Sequence, residues 1–102
     1  MAQGTHRPSA ATDAVVTFAA VSDVRHELDS VDWSYSAAPT GGNLKVESPS
    51  GTTIFQLAVT AAGPGSKSWS QSLKGASGQA MIVTLASGAG AVVGSLNAVT
   101  RG

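Results

Sequence analysis

The stretch AAPTGGNLKVESPSGTTIFQLAVTAAGPG, residues 37–65, decides the fold class. Leu44 and Val46 alternate with polar residues in a first short strand, and TTIFQLAVT (52–60) reads as a second. Between them, SPSG (48–51) places Pro at the second position of a type I turn and Gly at its end, which predicts a β-hairpin. The side chains predicted to face the core from the second strand are Phe55, Leu57 and Val59. Residues 37–65 therefore predict antiparallel β structure.

The rest of the sequence repeats this pattern of short strands separated by Gly-rich turns. The further predicted strands are AVVTFAAV (14–21), VRHELDSVDWSYS (24–36), SKSWSQSL (66–73), QAMIVTLAS (79–87) and AVVGSLNAV (91–99). In VRHELDSVDWSYS the apolar alternation changes phase at Asp29-Ser30, which indicates either a β-bulge or a short turn. Short strands at intervals of about a dozen residues predict an all-β protein, a single antiparallel β-sandwich with jelly-roll-like topology and seven or eight strands.

The N-terminal segment MAQGTHRPSAAT, residues 1–12, contains Gly, Pro and Ser but no apolar periodicity. Such a segment is predicted to be a flexible N-terminal arm that orders on a partner. A chain of 102 residues has the length of one domain. The predicted organisation is therefore an arm at 1–12 followed by one β-sandwich domain at 13–102.

The composition argues against several classes of partner. Charged residues make up only 12% of the chain, and the formal net charge is zero. Binding to nucleic acid or to an anionic membrane would need a basic face, so neither partner is expected. Without cysteine there is neither a disulfide framework nor a Cys-based zinc site. The N-terminus lacks the hydrophobic core of a signal peptide, which predicts synthesis in the cytoplasm.

The order of the charges is uneven along the chain. All acidic residues lie in the first 47 positions, whereas the charged residues from position 52 onward are Lys67, Lys74 and Arg101. This segregation is either accidental or brings acidic and basic edges of neighbouring copies together in an assembly.

The densest polar stretch, SDVRHELDSVD (22–32), does not fit a known catalytic or metal-binding motif. A zinc protease helix needs a second histidine where Ser30 stands, and on a strand His26 and Glu27 face opposite sides. The chain also lacks an EF-hand loop and a G-x-S-x-G nucleophile elbow. SGAGAVVG (87–94) lacks the βαβ context of a phosphate-binding loop. We therefore expect a solvated strand face, no metal or other cofactor, and no enzymatic activity.

The tryptophans and Phe55 are too scattered for a nucleic-acid stacking platform. Trp33 and Phe55 are predicted to pack in the core. Trp69, flanked by serines and close to Lys67 in the sequence, either packs in the core as well or anchors an interface, because Trp is enriched at such anchors.

The phrases SYSAAPTGG (34–42), LKVESPSGTTIFQLAVTAAGPGSKSW (44–69) and AMIVTLASGAGAVVGSLNAV (80–99) resemble small head decoration, or cement, proteins of tailed bacteriophages. The resemblance covers about residues 31–99 and leaves out the arm. It implies a non-enzymatic structural protein of the virion that binds the capsid exterior, with the major capsid protein as partner and a trimer or dimer as oligomer. The candidate capsid or subunit contacts are Arg7, Pro8, Asp29, Asp32, Lys67 and Trp69.

Three alternatives to capsid decoration remain open at the level of sequence. The first is a phage tail or head-tail connector subunit, which the length of the chain also permits. The second is a carbohydrate or host-surface binding module, which suits the predicted fold class. The third alternative is a glycosidase that uses Asp29 and Asp32 as a carboxylate pair, but a sugar cleft needs aromatic walls and loops that so short a chain scarcely supplies.

Capsid decoration predicts a high copy number in the particle. Mass spectrometry of purified source virions should give about one copy of this chain per major capsid protein, or a simple fraction of that ratio, because decoration follows the capsid lattice. A few copies per particle would instead favour a connector, and none would argue against a virion protein.

Overall fold

The computed structural model describes residues 2–101, which form eight β-strands and no helix. The strands are β1 (Ala2–His6), β2 (Ala14–Phe18), β3 (Glu27–Tyr35), β4 (Asn43–Glu47), β5 (Thr53–Ala58), β6 (Gly63–Lys74), β7 (Met81–Leu85) and β8 (Gly94–Arg101). Met1 and Gly102, which the predicted arm and domain include, lie outside the described residues. Over residues 2–101, no helix has the length and apolar character that crossing a membrane requires.

The strands form two antiparallel sheets that pack face to face. Over the described residues, the first sheet has the order β1-β8-β3-β6 and the second sheet the order β2-β7-β4-β5. The pairs are nested along the chain: β1 with β8, β2 with β7, β3 with β6, and β4 with β5. A long hairpin folded over on itself in this way is a jelly roll. The predicted all-β sandwich with jelly-roll-like topology is confirmed.

The strand registers assign the connections to two ends of the sandwich. Connections 7–13, 36–42, 59–62 and 86–93 lie at one end, which we call the upper end. Connections 19–26, 48–52 and 75–80 lie at the lower end. Only the β4–β5 connection joins neighbouring strands of one sheet among residues 2–101, and every other connection crosses between the sheets.

The core lies between the sheets and follows the alternation of each strand. On β7, Met81, Val83 and Leu85 are buried, while the residues between them are half-buried. Burial of each such side chain contributes about 1.5–3 kcal/mol. Tyr35 at the end of β3 is also buried, and its hydroxyl donates a 2.6 Å hydrogen bond to the Ala86 carbonyl. Burial raises the pKa of the Tyr35 phenol, and the hydrogen bond links the two sheets at the upper end.

The phase change at Asp29 is a β-bulge and not a turn. β3 continues through it, and its register with β8 shifts between Leu28 and Ser30. Because one extra residue is inserted there, Leu28 and Val31 both point into the core and are fully buried. On the other side, Leu73 pairs with Leu28 and Ser68 pairs with Ser30, so residues 69–72 of β6 leave the ladder opposite the bulge.

The N-terminal residues differ from the flexible arm that the sequence predicted. Ala2–His6 form β1, which pairs along its length with β8. A side chain at Gly4 would run into the Val16 side chain of β2, so the inner face of β1 has no room for an apolar residue. His6 Nδ1 accepts a 2.9 Å hydrogen bond from the Val15 backbone N–H. β1 therefore has no apolar periodicity, although it forms one edge of the first sheet.

The β4–β5 hairpin has the predicted pairing, with a different turn and a more exposed second strand. The turn hydrogen bond runs from the Thr52 N–H to the Pro49 carbonyl, so Pro occupies the first turn position. Val59 is buried, but Phe55 is only half-buried and Leu57 is 37% exposed. The cause is that β5 pairs only with β4 and lies at the edge of its sheet, where the facing sheet covers it incompletely.

Substitution of Gly4 tests the role of β1. Gly4→Ala should lower the free energy of unfolding by about 1–3 kcal/mol, because the added methyl group displaces Val16. Gln3→Ala, at an exposed position of the same strand, should change it by less than about 0.5 kcal/mol. Urea denaturation measures both variants. Equal stabilities would mean that β1 does not pack closely against Val16.

Candidate functional site

The six residues predicted as contacts do not form one cluster. They occur in the connection after β1 (Arg7 and Pro8), at the bulge of β3 (Asp29), on the outer face of β3 (Asp32) and on β6 (Lys67 and Trp69). The structure brings Lys67 and Trp69 together, since the Lys67 Nζ lies 5.8 Å from the centre of the Trp69 ring. Contact of any of them with a capsid or a partner copy stays a prediction.

Asp29 holds three strands together where the ladder is interrupted. Its Oδ1 accepts hydrogen bonds from the Ser72 hydroxyl at 2.7 Å and from Arg101 Nε at 2.9 Å, and Oδ2 lies 3.2 Å from the same nitrogen. The hydrogen bond from Ser72 is the main cause that lowers the pKa of Asp29, and the Arg101 guanidinium adds to it against a partial desolvation. Both carboxylate oxygens are therefore engaged within the fold.

Trp69 lies between the two sheets at the edge formed by β5 and β6. Its ring meets Phe55 of β5 edge-on, with 5.2 Å between ring centres. Both rings pack against the buried core and remain half-buried. Residue 69 belongs to the segment of β6 that leaves the ladder, which allows its ring to reach across to the other sheet. Trp69 thus has the packing role that one of the two sequence interpretations gave it.

The sequence predicted that His26 belongs to a solvated strand face, and this prediction is wrong. His26 is only 6% exposed, its Nε2 forms a 2.8 Å hydrogen bond with the Ala19 carbonyl, and its ring lies 6.0 Å from that of Phe18. Among residues 2–101, no group of three or more His, Asp or Glu side chains could hold a metal ion.

A row of polar side chains crosses the outer face of the first sheet. The registers align Thr5 of β1 with Asn97 of β8, Asn97 with Asp32 of β3, and Asp32 with Ser66 of β6. Side chains in such cross-strand positions share one face and lie about 5 Å from their neighbours. The Thr5 hydroxyl donates a 2.7 Å hydrogen bond to Asn97 Oδ1, which fixes the amide and leaves its Nδ2 as the outward donor. We call these four residues the polar row.

The polar row borders a concave region that we call the sheet depression. Its volume is about 430 Å³, and its lining residues are Asp32, Trp33, Ser34, Pro64, Gly65, Ser66, Ser95 and Asn97. It lies next to the upper end, because Ser34 pairs with Ser95 and Pro64 one step from the ends of these strands. The sheet depression combines hydroxyl groups, one amide and one carboxylate.

Gly65 allows the backbone of β6 to lie close to the core below the sheet depression. A Cβ atom at this position would come within 2.6 Å of Trp33 Cε2 and Nε1. A glycine in a strand typically marks such a close approach of the backbone to its neighbours. The buried indole of Trp33 thus supports β6 from beneath, and this contact positions Pro64 and Ser66 on the outer face.

Of the residues that line the sheet depression, the sequence predicted Asp32 as a contact and Trp33 as a core residue. Ser34, Ser66, Ser95 and Asn97 were missed because each is an ordinary polar residue on an alternating strand. Alternation does indicate that they point away from the core. What the sequence does not contain is the strand order, which places β8 and β6 on either side of β3 and so gathers these residues.

No protein-family model matches the chain, and no curated protein matches it. Among solved structures, the chain is similar to chitosan-binding module 1 derived from a chitosanase/glucanase of Paenibacillus sp. IK-5. The TM-score is 0.51 and the identity 13%, over 96% of this chain and 76% of that one. It is also similar to the family 32 CBM of C. perfringens NanJ, solved in complex with galactose, with a TM-score of 0.51 and 8% identity over 97% and 93% of the two chains. These likenesses establish the β-sandwich fold.

The contacts of Asp29 predict how its contribution to stability depends on pH. Its pKa is lower in the folded protein than the ordinary value of 3.8, so the stabilisation is complete above that value and is lost as pH falls through the folded pKa. The difference in unfolding free energy between the native protein and Asp29→Asn should therefore shrink as pH falls below about 5. Urea denaturation at several pH values measures it.

Ser72→Ala is the matched variant, because it removes the main cause of the lowered pKa and keeps the carboxylate. The unfolding free energy of Ser72→Ala should depend on pH less steeply than that of the native protein, but more steeply than that of Asp29→Asn. If the native protein and Asp29→Asn lose stability in parallel on acidification, the Asp29 cluster does not stabilise the bulge through its charge.

Proposed function

We propose that the chain is a non-catalytic carbohydrate-binding module that holds a sugar in the sheet depression. The observation that carries this proposal is the lining itself, in which outward hydroxyl, amide and carboxylate groups surround one concave region. The similarity in fold to a chitosan-binding module and to a CBM in complex with galactose supports it.

The groups of the sheet depression match the hydrogen-bonding needs of a sugar. A sugar hydroxyl both donates and accepts, and serine hydroxyls do the same, while Asn97 Nδ2 donates and the Asp32 carboxylate accepts. Adjacent strands are about 4.8 Å apart, which is comparable to the width of one pyranose ring. A single sugar ring can therefore bridge side chains of two neighbouring strands, either β8 and β3 or β3 and β6.

The same geometry argues against glycoside hydrolysis. Hydrolysis uses two carboxyl groups on either side of the scissile bond, and Asp32 is the only carboxylate among the described residues that line the sheet depression. Asp29, the partner that the sequence offered for such a pair, is bound to Ser72 and Arg101 at the bulge. We therefore propose binding without catalysis. An open site of this kind should bind a monosaccharide weakly, with a Kd of about 1 mM.

Titration of the isotope-labelled protein with galactose and with short chitosan oligosaccharides tests this function by NMR. Amide shifts should concentrate on residues of the sheet depression. Asn97→Ala should weaken binding by about two- to tenfold, the effect of one lost hydrogen bond. Ser68→Ala is the control, since Ser68 is exposed on β6 and does not line the sheet depression. Thermal unfolding checks that both variants remain folded.

The proposal fails if no glycan of a broad panel binds, or if the shifts fall on another face. Capsid decoration, with its virion location, capsid partner and homo-oligomer, stays a prediction from the sequence resemblance. The two functions can be separated, because decoration requires a high copy number in virions, whereas a carbohydrate-binding module binds glycans as the isolated chain.

A further inference from the structure

We infer that the sheet depression prefers an amino sugar with a protonated amine, and that the Asp32 carboxylate accepts from this ammonium group. The inference rests on the proposed function and specifies its ligand class. Asp32 lies on β3 between β8 and β6, so its carboxylate is in the middle of the lining and not at its rim. A ligand in the sheet depression must therefore satisfy or tolerate this charge.

Asp32 differs from the other carboxylates whose contacts the structure gives. Glu47 pairs with Lys45 at 3.7 Å, Glu27 with Lys74 at 3.9 Å, and Asp29 with Arg101 at 2.9 Å. Asp13 accepts a 2.7 Å hydrogen bond from the Ser87 N–H. Within residues 2–101, Asp32 takes part in none of the ion pairs, and its side chain is exposed. Its carboxylate is thus available to a ligand.

The basic side chains nearest in sequence or strand position do not line the sheet depression. Lys67 follows Ser66 on β6, but the alternation of the strand turns it to the opposite face, beside the Trp69 ring. Arg7 is exposed just beyond the end of β1. Among the described residues of the lining, none is Lys, Arg or His. The local charge of the site is therefore negative.

An ammonium group on the ligand fits this set of atoms better than an acetamide group or a carboxylate group would. It has three N–H donors and no acceptor, and the sheet depression offers the two Asp32 oxygens together with the hydroxyl oxygens of Ser34, Ser66 and Ser95. Hydrogen bonds between charged partners are about twice as strong as those between neutral ones. Because the site is open to solvent, salt screens the attraction and the preference is moderate. An anionic sugar would be repelled.

Isothermal titration calorimetry with two oligosaccharides of equal length tests the inference. One is an oligomer of glucosamine, studied at mildly acidic pH where its amines are protonated, and the other is the fully N-acetylated oligomer. The native protein should bind the glucosamine oligomer about three- to tenfold more tightly, and added salt should reduce this ratio. Asp32→Asn keeps the shape and the oxygen acceptor but removes the charge, so it should bring the ratio close to one.

Asp23→Asn is the matched control. It removes one negative charge from the same protein, at an exposed position in the 19–26 connection of the lower end, and asparagine tolerates the positive φ of 62° there. The Asp23→Asn protein should keep the preference of the native protein. If both variants lose the preference equally, net charge and not the Asp32 site is responsible, and the inference is wrong.

The remaining outcomes distinguish the inference from the proposed function. Equal binding of the two oligomers by the native protein would overturn the amino-sugar preference and leave carbohydrate binding intact. Tighter binding of the N-acetylated oligomer would do the same. If neither oligomer nor galactose binds, both proposals fail. Thermal unfolding of each variant confirms that a loss of binding does not reflect a loss of fold.

Discussion

The double pairing of β3 with β8 and β6 is the interaction on which the rest of the molecule depends. One side of β3 supplies Val31, Trp33 and Tyr35 to the core, and the other side supplies Asp32 to the sheet depression. The bulge at Asp29 sets the phase between these faces. Without the extra residue, β3 would alternate strictly. Either Leu28 or the three residues Val31, Trp33 and Tyr35 would then point away from the core. The core and the candidate site are therefore fixed by the same local irregularity.

The packing of β1, the edge strand of the first sheet, depends on Gly4 and His6 and not on large apolar side chains. Gly4 lies against Val16, and His6 Nδ1 accepts from the Val15 N–H of the other sheet. This explains why β7 and the β4–β5 pairing could be predicted from alternation while β1 could not. Sequence periodicity detects strands that bury large side chains. A strand whose inner positions are occupied by Gly and His gives no such signal, even where it pairs along its whole length.

The candidate site was predictable to a lesser degree than the fold. Alternation correctly indicates that Ser66, Ser95 and Asn97 point away from the core, and the interpretation of the chain as jelly-roll-like was correct. The site, however, is defined by which strands are neighbours. Asn97 and Asp32 are far apart in the sequence and meet only because β8 lies beside β3. Single polar residues on separate strands have no motif, so their convergence depends on the three-dimensional register.

The departure of residues 69–72 from the β6 ladder also affects the surface of the protein. β6 is the longest strand among the described residues and lies at an open edge of its sheet. A long, straight edge strand offers a row of unpaired N–H and C=O groups to another chain, which is a route to aggregation. The irregular segment interrupts that row, and Pro64 and Lys74 occupy its two ends. The displacement that places Trp69 against Phe55 thus also leaves residues 63–68 as the longest regular part of the exposed edge, a shorter template for a strand of another chain than the whole of β6 would be.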